Sequence, residues 1–399
     1  MSLAIEPFTI AIPDADLDDL RARLARTRLS EQLPDAGWDY GTERGYLAEL
    51  VAYWRDEYDW RRAEAMLNAF DNYVTEVDGA RVHFIHARSP EPDAIPLIVT
   101  HGWPGSVIEF MDFIRPLADP RAHGGDPADA FHVVCPSIPG YAFSGPTRER
   151  GWGPRRIAEA WATLMPGLGY ERYGAQGGDW GSMISTQLGL VDPEHVVGVH
   201  LNMVVAPPPP DLDFEHLQED EQVALATYEY YGRVDSGYSK IQGTKPQTIG
   251  YALDDSPAGL AGWIVEKFRT WSDCDGDVER RFTKDQLLDN VMLYWLTGTA
   301  HSAGRLYYEA EQTRGFVADS RVEVPVGVAA FPKEIIRPPR RWAEARYDLR
   351  RWTEMPRGGH FAAFEEPGLL TADVREFFRP LRTPVSGGTS TGTSTGTST

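Results

Sequence analysis

Apolar positions first recur at helical spacing. Behind Pro13-Asp14, Leu17, Leu20 and Leu24 share one helix face, with Asp14 placed to cap it. Aromatic residues crowd the remainder of the first 72 positions: Trp38, Tyr40, Tyr46, Tyr53, Trp54, Tyr58, Trp60 and Phe70. Surface of that kind is expected to pack onto a neighbouring domain. From about residue 73 the pattern changes. Val82–His86 alternates, Pro96–His101 and Phe131–Ser137 are short runs of the buried-strand kind, and Arg172–Gln176, ending in glycines, and Val196–Asn202 read as further strands. Helical spacing lies between them, from Pro154 (Ile157, Ala160, Trp161, Leu164, Leu168) and over Trp180–Leu190. This β-α-β alternation predicts an α/β fold with a mostly parallel central sheet covered by helices.

The alternation stops at Pro207–Pro210, and helical patterns such as Leu288, Val291, Met292 and Trp295 follow. Strand-like spacing returns at Arg321–Phe331, then a helix near Pro339–Arg346 and a strand near Leu349–Met355. The predicted organisation is an N-terminal helical segment (1–72) packing on the core, an α/β core (73–206 and 319–383) and an inserted helical lid (207–318). A lid at the carboxyl edge of such a sheet would cover the ligand crevice. Residues 384–399 repeat Gly, Ser and Thr, have nothing to bury, and are expected to be a disordered tail.

Composition narrows the function. With 42% hydrophobic and 25% charged residues among 399, the chain is globular rather than disordered. Its formal net charge of −20 repels phosphate backbones, so no nucleic-acid partner is expected and an uncharged substrate is favoured. Two cysteines exclude a disulfide scaffold and a four-cysteine zinc site. No ligand cluster appears, so neither metal nor organic cofactor is expected. The N-terminus lacks a basic region followed by an apolar one, and apolar runs stop short of the ~20 residues of a membrane span, so a cytoplasmic protein without a membrane anchor is expected. A second copy of the chain is the one macromolecular partner left open.

Three loops carry chemistry. Gly177-Gly178-Asp179-Trp180-Gly181 lies between a predicted strand and a predicted helix. That is the small-x-nucleophile-x-small pattern of a nucleophile elbow, with Asp in the reactive position. An ordinary helix cap after a glycine turn explains Asp179 equally well. Matches to Gly-x-Ser-x-Gly fall only in the tail, at 388–392 and 392–396, and follow no strand. His101-Gly102-Trp103-Pro104-Gly105-Ser106 ends a buried strand. In a hydrolase sheet the backbone N–H groups of Trp103 and Trp180 would form an oxyanion hole. Gly358-Gly359-His360-Phe361 follows the last strand, where a catalytic base belongs. His101, His200 and His301 are rivals on less suitable elements. Glu334, soon after the 321–331 strand, is the candidate acid; Asp348 is its rival.

Taken together, the sequence resembles the microsomal-type epoxide hydrolases from its N-terminal segment to about residue 380. The motifs are HGWPGS (101–106), GGDWGS (177–182), TKP (244–246), NVMLYWLTGT (290–299) and RGGHFAAFEEP (357–367). The resemblance implies the α/β-hydrolase fold, Asp179 as nucleophile, His360 as base and Glu334 as acid. It also implies two lid tyrosines, which motif matching places at Tyr238 and Tyr307, with Tyr308 one step away. The implied reaction opens an apolar or aromatic epoxide to a vicinal diol through an alkyl ester on Asp179. Known relatives of this type serve both antibiotic (polyketide and enediyne) biosynthesis and detoxification. A haloalkane-dehalogenase-like hydrolase would use the same Asp, and a hydrolase-fold binding protein would use none of this chemistry.

Overall fold

The computed structural model describes residues 3–313, 315 and 320–382. The expected tail at 384–399 lies outside these residues, as do 316–318 at the end of the predicted lid and 319, where the core was expected to resume.

Among the described residues nine strands form one sheet: β1 (Glu6–Pro7), β2 (Asn72–Val77), β3 (Ala80–Ala87), β4 (Ile95–Thr100), β5 (Phe131–Pro136), β6 (Tyr173–Gly177), β7 (Val196–Leu201), β8 (Val322–Ala330) and β9 (Tyr347–Glu354). Their order across the sheet is β1-β2-β3-β5-β4-β6-β7-β8-β9. The pairs β1/β2, β2/β3 and β3/β5 are antiparallel. Every pair from β5 to β9 is parallel. The central strands β4 and β5 are mostly apolar because both faces are covered, and β6, though fully buried, is built of small and polar residues. Helix Trp180–Val191 packs on β6 and β7, and helix Pro154–Gly167 packs on it in turn.

The strands after β4 run parallel, so their carboxyl ends share one edge. The loops leaving β4, β6, β8 and β9 carry Trp103, Asp179, Glu334 and His360 respectively. Among the described residues between β7 and β8 lie six α-helices, from Glu219–Tyr230 to Ala300–Thr313. A single π-turn, Tyr231–Asp235, continues the first of them.

The N-terminal segment holds helices Asp14–Leu24, Arg44–Asp56 and Trp60–Asn68, and also supplies β1 to the sheet edge. Leu17, Leu20 and Leu24 are buried together, but Asp14 is not a cap: it sits inside the first turn and pairs with Arg61. Trp54 and Trp60 are buried, whereas Tyr40 is 81% exposed. The Tyr53 and Tyr58 hydroxyls donate to Asp285 (2.9 Å) and Asp289 (2.8 Å) on helix Lys284–Thr297, where Arg62 also pairs with Asp289 (2.6 Å). The segment thus braces the helix that, one residue later, grips the active-site loop.

His83 on β3 is fully buried between Ser137 and Asn72, each 3.0 Å away. Burial, ahead of the nearby Arg81 charge, lowers its pKa from 6.5 to about 3. The unfolded chain therefore binds this proton near pH 6.5 while the folded chain refuses it, so stability falls as pH drops below about 6.5. At pH 5 the loss from this residue is about 2 kcal/mol. In His83→Gln, urea unfolding at pH 7 and pH 5 should show a smaller pH-dependent loss than the unaltered protein. An unchanged loss would remove His83 from the acid response.

Candidate active site

Asp179 stands at the tip of a strand-to-helix turn with φ 50° and ψ −129°, left-handed backbone that an L-residue adopts only under constraint. The constraint is visible in its neighbours. A side chain on Gly181 would strike the Thr100 carbonyl at the end of β4. Asp179 occupies the N-cap position of helix Trp180–Val191, yet its carboxylate makes no cap bond. It turns instead toward the β4 loop. Oδ1 accepts from the Trp103 N–H at 2.8 Å, and Oδ2 lies 3.4 Å from His360 Nε2. Trp180 opens the helix beside it, at the end where the helix dipole is positive.

His360 Nδ1 lies 2.6 Å from Glu334 Oε1, which also accepts the Ile335 N–H at 2.6 Å. All three side chains are withdrawn from water: Asp179 is 13% exposed, His360 2% and Glu334 3%. Burial alone would lower the His360 imidazole. The facing Glu334 and Asp179 carboxylates outweigh it and hold the ring well above its ordinary pKa. Asp348 pairs with Arg350 on β9 instead. Among the rival histidines, His101 bonds Gly102 and Ile138, His200 pairs with Asp373, and His301 pairs with Asp254. Burial lowers the His101 pKa to about 4.

Tyr238 and Tyr307 close the site from above, 5% and 3% exposed. Tyr238 lies flat on the Trp103 indole, with ring centroids 4.7 Å apart and planes 7° apart. Tyr307 meets the Trp180 ring edge-on at 4.6 Å, and the two tyrosine rings are 5.8 Å apart. Tyr308 is only half-buried. Burial holds both lid phenols well above 10, with the Asp179 charge adding to it, so each remains a hydrogen-bond donor at neutral pH.

Other contacts explain motifs that the sequence displays without giving their purpose. Asn290 accepts from the Ser106 hydroxyl (2.7 Å) and donates to the Pro104 carbonyl (2.7 Å), while the Tyr294 hydroxyl donates to the Gly105 carbonyl (2.6 Å). NVMLYWLTGT is the clamp on HGWPGS. In RGGHFAAFEEP, Glu365 accepts from the Asp273 and Phe361 N–H groups (2.8 and 3.1 Å), and the His360 N–H reaches the Trp271 carbonyl (2.9 Å). A side chain on Gly359 would collide with that same carbonyl. Tyr231, on the π-turn, puts its hydroxyl 2.8 Å from that of Tyr238. Asp235 on the same turn accepts from Lys267 (2.7 Å), whose ammonium lies 4.9 Å from the Tyr238 ring centroid. Nothing in the local sequence marks Asp235 or Lys267, because their partners lie on separate helices or depend on the π-turn.

Residues 5–110 match the family model "Epoxide hydrolase N terminus", and residues 95–237 match the alpha/beta hydrolase fold. Epoxide hydrolase 1 of Oryctolagus cuniculus is 39% identical over 409 residues, covering 94% of this chain and 88% of that protein. The chain belongs to the microsomal-type epoxide hydrolase family. A Stigmatella aurantiaca relative, named provisionally as an epoxide hydrolase, is 49% identical over 379 residues, covering 95% and 86%. The crystal structure of juvenile hormone epoxide hydrolase from the silkworm Bombyx mori superposes with a TM-score of 0.87 at 31% identity, covering 95% of each chain. The chain has the α/β-hydrolase fold that the resemblance implied, and it is a hydrolase that acts on epoxides. Among the described residues no helix is long and apolar enough to cross a membrane, and no cluster of three or more His, Cys, Asp or Glu could hold a metal ion.

Proposed function

We propose that Asp179 opens the epoxide by attacking a ring carbon, and that the diol is released from an alkyl ester on this residue. The observation that supports this most is the direction of the Asp179 carboxylate. It leaves the helix-cap role and lies between the Trp103 N–H and His360, below two buried tyrosines. An epoxide is strained but releases a poor leaving group, an alkoxide. Tyr238 and Tyr307 donate to that oxygen as its charge grows, in a site where water is scarce and each hydrogen bond counts for more. The alkoxide takes a proton from a tyrosine, which solvent then restores.

The ester removes the Asp179 charge. His360 then keeps only Glu334 as an anionic neighbour, so burial pulls its pKa down and it releases its proton to solvent. Alkylation thereby converts a cation into the base required next. His360 draws a proton from water, the water oxygen bonds the ester carbonyl carbon, and the Trp103 and Trp180 N–H groups hold the oxyanion. The ester C–O bond breaks, the diol leaves with the proton from His360, and the new Asp179 carboxylic acid returns a proton to His360. The aromatic walls, Trp103, Trp180, Tyr238, Tyr307 and Trp271, favour an apolar or aryl epoxide.

Tyr238→Phe and Tyr307→Phe should each slow ester formation from styrene oxide about 100-fold in stopped flow, and the double variant more. Rates within twofold of the unaltered protein would take the donor role from them. Haloalkane turnover with chloride release and no diol from any aryl epoxide would favour a dehalogenase instead.

A further inference from the structure

Glu109 has no part in the steps above, yet it lines the same small cavity as Asp179 and His360. It lies on the short turn Val107–Phe110 that follows HGWPGS. Gly105 has no side chain, and the Glu109 carboxyl group occupies the volume where one would stand. The cavity is walled by Thr100, Gly102, Asp179, His360, Ala362 and Glu109. Its space open to a water's centre is about 10 Å³, room for one molecule. A water in such a space needs two to four polar partners, and these walls offer carboxyl groups and an imidazole.

We propose that Glu109 holds the hydrolytic water, its carboxyl oxygen accepting one O–H while His360 Nε2 accepts the other. This inference rests on the ester route proposed above. With both hydrogens engaged, a lone pair of the water is left to face the Asp179 carbonyl carbon. His360 takes its proton as the O–C bond forms, while Glu109 keeps the second hydrogen bond and exchanges no proton. Burial, opposed by the His360 charge, pushes the Glu109 carboxyl up to about 8, so it is neutral at pH 7. The Asp179 and Glu365 charges push the same way, and a Ser106 backbone hydrogen bond opposes them. A neutral carboxyl accepts the water hydrogen without repelling the Asp179 carboxylate during the first step.

The test is rapid-quench mass spectrometry of full-length protein with styrene oxide, comparing Glu109→Leu, Glu109→Gln and His360→Gln. Leu keeps the volume without a polar atom, and Gln keeps a neutral acceptor. Ester formation in Glu109→Leu should stay within about threefold of the unaltered protein while ester hydrolysis falls about 100-fold, so that the adduct on Asp179 accumulates. Glu109→Gln should recover most of the hydrolysis rate. Unchanged hydrolysis in Glu109→Leu, an equal slowing of both steps, or no recovery with Gln would overturn the water-holding role. An adduct in His360→Gln but none in Glu109→Leu overturns this inference alone. No adduct in either removes the ester route and the inference together.

Discussion

Replacing Asp179 with alanine should lower kcat/KM for an aryl epoxide by at least about 10⁴-fold, with no adduct detected by mass. Glu109 shares the cavity, but burial keeps its carboxyl protonated at pH 7 and so a poor nucleophile. His360 reaches Asp179 through a single 3.4 Å contact, and Glu334 lies behind His360 with its Oε1 already engaged by the ring and the Ile335 N–H. The fold should survive. The strained turn is fixed by backbone packing against Thr100, and the lost carboxylate leaves His360 still paired with Glu334. Thermal denaturation and circular dichroism close to those of the unaltered protein would attribute the loss to chemistry. More than about 1% residual kcat/KM would mean that another group opens the ring.

His360→Gln should separate the two half-reactions. Ester formation needs the Asp179 carboxylate and the lid tyrosines, so a burst of about one epoxide per active site is expected. Diol release needs the base, so steady turnover should fall about 10³-fold. The stalled protein should carry the mass of one substrate, located on the peptide containing Asp179. Glutamine cannot carry the charge that Glu334 and Asp179 stabilise on the imidazole, so the resting pair is weakened, and the burst is expected to be slower than in the unaltered protein. Full turnover without an adduct would take the base role from His360.

The parallel half of the sheet was legible because β4, β5 and β7 are largely buried and leave short, mostly apolar runs, while β6 is marked by the glycines that end it. The hairpin β2–β3 was legible in principle. Asp78-Gly79, both at positive φ, is the dipeptide that tight hairpins demand, but Thr75 and Glu76 obscure the strand before it. β1 has two residues and no periodicity to read. In the site, Asp179, His360 and Glu334 lie on loops leaving strand ends, and chain order alone proposed that they meet; the structure brings them within 3.4 and 2.6 Å contacts. Whether Asp179 capped its helix turned on a side-chain direction, which no spacing encodes. Asp235, Lys267, Asn290 and Glu109 stayed hidden for a related reason. Each acts across elements far apart in sequence, or from a turn that is not regular helix.

The ester on Asp179 is tested most directly by one turnover in ¹⁸O-water with enzyme in excess over an aryl epoxide, followed by mass analysis of the diol and of the Asp179 peptide. The expected result is unlabelled diol, its new oxygen coming from the carboxylate, and one ¹⁸O retained on Asp179. Labelled diol with an unlabelled Asp179 would mean that water attacks the epoxide directly, and would contradict the nucleophilic role of this residue.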